Sequence, residues 1–140
     1  MNEIRQKASI VLDNIFSKNI DSVVSGTPAG LKFSYLQVYK RHKKDKTLVS
    51  IHLYDSFENV LNRLTFYDKD SNPIIEPMDE AKRKGYLRDI IADYRYFESS
   101  YKRADFQINI EHIKLQDIPE MIVEELRKDE VLPTSQTFQE

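Results

Sequence analysis

The spacing of apolar and polar positions changes several times along this chain, and each spacing predicts a different element. Helical spacing of apolar residues predicts three amphipathic helices, at residues 2–24, about 79–102 and about 119–130. Alternating apolar and polar positions predict three strands, at residues 31–39, 47–54 and 106–110. The parity of the first alternation changes at Leu36, which indicates a bulge or a strand buried on both faces.

Residues 55–67 carry two conflicting patterns. Asp55 and Glu58 are spaced as in a capping box and precede apolar residues at helical spacing, whereas residues 64–67 have strand-forming side chains. We therefore predict a short helical turn that leads into a third strand of the sheet. The resulting order is α-β-β-β-α-β-α, an α+β fold with an antiparallel sheet and helices packed mainly on one face.

A basic tip, Lys40-Arg41-His42-Lys43-Lys44-Asp45-Lys46, lies between the first two predicted strands. This position predicts an exposed hairpin loop, because loops between strands run over the surface. Five Lys or Arg side chains against one Asp attract carboxylate or phosphate surfaces.

The long helix carries a second basic pattern, a helix stripe formed by Lys84, Arg88, Arg95 and Lys102. At about 100° per residue these four positions fall within roughly 40° of one another, opposite the apolar stripe. The binding residues predicted from both patterns and from the flanking tyrosines are Tyr39, Lys40, Arg41, His42, Lys43, Lys44, Lys46, Tyr54, Lys84, Arg88, Arg95, Tyr96 and Lys102.

Composition limits the class of protein. The 140 residues predict a single domain over residues 1–132, followed by a flexible polar tail at 133–140. The absence of cysteine removes disulfides, thiolate ligands and cysteine nucleophiles. Apolar runs are too short to cross a membrane and no secretory signal opens the chain, so we predict a cytoplasmic protein in a bacterium or a phage-infected host.

Charge is unevenly distributed, although the net charge is only −2. Residues 32–46 carry +5 and residues 117–140 carry −5. The two segments can attract each other within one molecule or between two, which leaves homo-oligomerisation open.

Three candidate chemistries receive little support from the residues. The one Glu-x-Lys sequence, at Glu80, falls at a predicted helix start and not on a strand, where a metal-dependent nuclease carries it. Asp68, Asp70 and Asn72 match the first calcium-ligand positions of an EF-hand, but Pro73 replaces the turn glycine. The histidines lack metal-ligand spacing, so we predict no metal site, no cofactor and no catalytic residue.

These observations favour a small, non-enzymatic binding protein of regulatory or inhibitory kind, from the accessory proteins of bacteria or phages. Its expected partner is an acidic protein surface, and the basic tip is expected to lead the contact. A nucleic-acid-binding module that uses the basic tip and the helix stripe is the first alternative. A metal-dependent hydrolase with a site built from scattered carboxylates is the second.

Overall fold

The computed structural model describes residues 3–45 and 48–132. The regular elements are, in chain order, α1 Glu3–Ser17, a π-helical turn Gly30–Ser34, α2 Leu36–Lys44, β1 Ile51–Tyr54, α3 Phe57–Arg63, α4 Glu80–Tyr101, β2 Phe106–Asn109, a 3-10 turn Leu115–Asp117 and α5 Ile118–Lys128. Helices make up 58% of the described residues. The predicted tail at 133–140 lies outside the described residues.

The sheet of the described chain consists of two short parallel strands. β1 pairs with β2 in a register that sets Ile51 opposite Phe106 and Tyr54 opposite Asn109. The chain between them forms α3 and α4, and a crossover of this kind is what a parallel pair requires. The predicted antiparallel sheet of several strands is therefore wrong.

The predicted first strand, residues 31–39, is helical. The π-helical turn and α2 occupy this segment, and Val38, Tyr39 and His42 form the buried face of α2. His42 follows Val38 by four residues and Tyr39 by three, which is a helical period, and this face buries the aromatic and β-branched residues that had suggested a strand. Residues 40–44 of the basic tip accordingly form the second half of α2 and not a hairpin loop.

The predicted third strand, residues 64–67, is also wrong. The chain there is extended but pairs at a single point, a bridge between Tyr67 and Pro73 across a turn. Asp68 holds that turn, because its carboxylate accepts the N–H groups of Asp70 at 2.8 Å and Asn72 at 2.9 Å. These bonds lower the pKa of Asp68, the Asn72 N–H having the largest effect.

The other predicted elements are found with shifted ends. The short helix expected after residue 55 is α3, and Ser56 caps it by accepting the Asn59 N–H. α4 begins after Asp79, which caps it through the Lys82 N–H at 2.8 Å. The first helix stops at Ser17, well short of the predicted residue 24.

The core of the described chain is small and lies between β2 and α5. Ile108, Ile110 and Ile118 are buried together, and Phe106 and Met121 pack against them. By contrast, α1 buries none of its residues. No helix within the described ranges has the length and apolar character needed to cross a membrane.

Candidate functional site

Three side chains of the basic tip, those of Arg41, His42 and Lys43, form ion pairs within the molecule. Arg41 and His42 both contact the carboxylate of Asp13 on α1, and the His42 Nε2 donates to it at 2.8 Å. The hydrogen bond from His42 and then that from Arg41 hold the pKa of Asp13 below its ordinary value. The ring of Phe16 also packs edge-on against His42, with centroids 5.3 Å apart. These side chains attach α1 to α2.

Lys43 and Tyr39 attach α2 to the strand pair. Lys43 forms an ion pair with Asp105, whose other oxygen accepts the Ser50 N–H at 2.9 Å. Tyr39 is buried, and its hydroxyl donates to the Arg103 carbonyl at 3.0 Å and lies 3.0 Å from the Ser50 hydroxyl. The structure therefore places Tyr39, predicted as an exposed anchor, in the interior.

Lys40 and Lys44 form the outward face of the basic tip. They are four residues apart on α2, both are exposed, and neither pairs with an acidic group in the described part of the chain. Lys46 lies outside the described residues.

The helix stripe is partly neutralised by its own helix. Lys84 pairs with Glu80 at 3.4 Å, and Lys102 pairs with Glu98 at 2.8 Å. The hydrogen bond to Glu98 raises the pKa of Lys102.

Arg88 and Arg95 are the charges of the stripe that stay free for a partner. Both are exposed, and among the described residues neither has an acidic partner. They are seven residues apart, so they project from one face of α4 about 10 Å apart along its axis.

An exposed aromatic pair, which we call the aromatic–lysine junction, connects α4 to the π-helical turn. Tyr96 is 56% exposed and Phe33 is 48% exposed, and their ring centroids are 6.5 Å apart. Lys32 places its Nζ 3.7 Å from the Tyr96 ring centroid and donates to the Tyr96 carbonyl at 2.6 Å. Sequence reasoning found Tyr96 but missed Lys32 and Phe33, because it assigned them to a strand.

A second feature is a cleft of about 300 Å³ between β1, α3 and α4. We call it the His52 cleft. Its aromatic lining consists of His52, Tyr54, Phe57, Tyr94 and Tyr101. Tyr54, a predicted contact residue, is 39% exposed at this cleft.

Three rings of the His52 cleft are packed together nearly parallel to one another. The Tyr101 centroid is 4.3 Å from that of His52 and 5.1 Å from that of Tyr94, and the His52 and Tyr94 centroids are 6.4 Å apart, so the three rings form a triangular cluster. Gln107 fixes the imidazole: its Nε2 donates to the Tyr101 carbonyl, so its Oε1 accepts from the His52 Nδ1 at 2.6 Å. Burial, together with the charges of Tyr94 and Asp93, raises the pKa of the Tyr101 hydroxyl.

Sequence reasoning missed this cleft because Tyr94 and Tyr101 fall on the apolar stripe of α4. The residue type was the available signal. Tyr94 and Tyr101 are seven residues apart on the apolar stripe, where aliphatic side chains would be enough to form a core. His112 lies in the turn after β2 and does not line the His52 cleft. Among the described residues, no three His, Asp or Glu side chains come together as a metal site.

Comparison of the chain with known protein families, with curated proteins and with solved structures finds no match. Any functional conclusion therefore depends on the geometry of the basic tip, the helix stripe, the aromatic–lysine junction and the His52 cleft.

Proposed function

We propose that this chain is a regulatory or inhibitory binding protein, without enzymatic activity, that contacts an acidic protein surface. The aromatic–lysine junction is the observation that carries the proposal. Large aromatic side chains and arginine are the residues that most often dominate the energy of protein interfaces. Here Phe33 and Tyr96 are half exposed at the surface, and Arg95 directly precedes Tyr96 on α4.

The junction is ordered before any partner arrives, which supports a role as an anchor. Lys32 is 3.7 Å from the Tyr96 ring centroid and hydrogen-bonds to the same residue's carbonyl. A cation over an aromatic face and a second contact to the backbone restrict both side chains. Side chains that are already restricted lose less conformational entropy when they bind.

Charge supplies the preference for an acidic partner. Lys40 and Lys44 on α2, and Arg88 and Arg95 on α4, are exposed and have no acidic partner among the described residues. Such charges steer an acidic surface towards the protein and raise the association rate. The nucleic-acid alternative draws less support, because Lys32 already covers a face of Tyr96 on which a base would stack.

The test compares two labelled polyanions, poly-L-glutamate and a mixed-sequence oligonucleotide, by fluorescence anisotropy at low salt and at 0.15 M salt. The double variants Lys40→Ser/Lys44→Ser and Arg88→Ser/Arg95→Ser remove outward charges and leave the internal ion pairs intact. A matched double variant, Lys69→Ser/Lys114→Ser, removes two exposed lysines elsewhere.

We expect poly-L-glutamate to bind to the wild-type chain. Either double variant, on α2 or on α4, should weaken its affinity at least about fivefold, whereas the matched variant should change the affinity little. Tyr96→Ala should also weaken the binding of poly-L-glutamate. Tyr67→Ala should not, because Tyr67 is 60% exposed but lies outside the basic tip and the helix stripe. Nanomolar oligonucleotide binding that survives 0.15 M salt would contradict the proposal and favour the nucleic-acid alternative.

A further inference from the structure

The side chains that line the His52 cleft are those of a site for a small cation. This inference does not depend on whether the basic tip and the helix stripe bind a protein. Its aromatic walls come from three elements: Tyr54 from β1, Phe57 from α3, and Tyr94 with Tyr101 from α4. The ring of Phe57 meets that of Tyr94 at 68° with centroids 5.4 Å apart, so the walls include rings at steep angles to one another. Ring faces attract cations because their quadrupole is negative at the face.

The charges that line the cleft also favour a cationic ligand. Asp93 lines it, is exposed, and has no basic partner among the described residues. Asp55 also lines it, but its charge is offset by Arg63 at 2.7 Å. The cleft therefore carries one uncompensated negative charge, next to phenol rings that supply no positive charge.

The size of the cleft restricts the ligand. A volume of about 300 Å³ is at the lower end of the range for small-molecule sites, which is roughly 300–1,000 Å³. It suits a compact head group and not a drug-sized molecule. Aromatic faces combined with one carboxylate are the recognised means of binding alkylated ammonium groups.

We propose that the His52 cleft binds an alkylated or quaternary ammonium group, with the tyrosine rings against its methyl groups and Asp93 supplying the counter-charge. Binding is non-covalent and requires no proton transfer. His52 positions the ring of Tyr101, because the two rings are in contact and the His52 Nδ1–H is held by Gln107.

The test uses choline and 3,3-dimethyl-1-butanol, in which a carbon atom replaces the charged nitrogen. Isothermal calorimetry of the full chain gives both affinities, and changes in the tyrosine NMR signals identify the rings that respond. We expect choline to bind with a Kd of about 1 mM or tighter and the neutral compound to bind about tenfold more weakly.

Asp93→Asn should weaken choline about threefold to fivefold and leave the neutral compound unchanged. The matched control is Asp89→Asn, which removes the same charge one turn earlier on α4 at an exposed position outside the cleft. Circular dichroism checks that both variants fold. Equal affinity for choline and its neutral analogue, equal effects of the two variants, or no heat from choline at about 10 mM would overturn the proposal.

Discussion

Replacement of Asp55 by alanine tests whether one carboxylate holds α3 against the end of β1. The Asp55 side chain is only 3% exposed. One of its oxygens accepts the Ser56 N–H at 2.8 Å and the Asn59 side-chain amide at 2.9 Å. The other lies 2.7 Å from the Arg63 guanidinium. The carboxylate therefore contacts both ends of α3.

The expected loss follows from these three contacts. A hydrogen bond to a charged group contributes about 1.5–3 kcal/mol, and two are lost with their donors left in place. Arg63 is 36% exposed and can be hydrated, so its ion pair is counted at no more than about 1 kcal/mol. We expect Asp55→Ala to lower the free energy of unfolding by at least about 3 kcal/mol, which corresponds to a fall in Tm of at least about 10 °C for a chain of this length.

The loss should depend on pH. Burial would raise the pKa of Asp55, but the hydrogen bonds from Asn59 and Ser56 and the charge of Arg63 outweigh burial and place the pKa below the ordinary value of 3.8. A lowered pKa means that the contribution is fully present above pH 3.8 and is lost as the pH falls through the folded-state pKa. The difference between wild type and variant should therefore be full at neutral pH and shrink in acid below that value.

Urea denaturation followed by circular dichroism, at neutral pH and in acid, measures both effects. Asp70→Ala is the control, because the Asp70 side chain is 67% exposed and its nearest cation, on Lys69, is 3.9 Å away. It should change the free energy of unfolding by less than about 0.5 kcal/mol. A loss below about 1 kcal/mol for Asp55→Ala at neutral pH, or equal losses in the two variants, would refute the reasoning.

Three further predictions concern single substitutions in α2, in the π-helical turn and in α4. Tyr39→Phe should lower the free energy of unfolding, measured by urea denaturation, by about 1–2 kcal/mol, because it removes a buried hydroxyl that has two hydrogen-bond partners. Tyr54→Phe should leave the free energy of unfolding nearly unchanged. Gly30→Ala should lower Tm, because a Cβ there would overlap the ring of Tyr35; no measurable fall would contradict the described turn. Gly85→Ala, with open space around the added methyl group on α4, should instead stabilise the protein by about 0.5–1 kcal/mol.

The elements that could be predicted are those whose signals are local. α4 has a long apolar stripe and a capping Asp79, and α5 begins at a proline-marked boundary, so both were found to within two residues. α2 was missed because Val38 and Tyr39 favour strands by residue type, and their burial in a helix depends on contacts with distant parts of the chain. The parallel pairing of β1 and β2 depends on how α3 and α4 cross between them, which no local pattern records.

The candidate sites divide in the same way. The exposure of Tyr96 and the outward charges of α2 and α4 follow from helical spacing and residue type. The intramolecular ion pairs of His42 and Lys43 do not, because their partners Asp13 and Asp105 are 29 and 62 residues away in the chain. A basic cluster therefore shows where charge is concentrated, whereas the folded structure shows which of its members are already paired.

The parallel strand pair has a consequence for how the protein is made. Each residue of β1 pairs with one 55 residues later in the chain, for example Ile51 with Phe106. At about 5–20 residues per second on the ribosome, β1 is synthesised about 3–11 s before its partner strand. During that interval Ile51 and Leu53 have no strand to cover them, while α3 and α4 can form from local contacts. We therefore expect the nascent chain to be open to chaperone binding and to aggregation in the interval before β2 is synthesised.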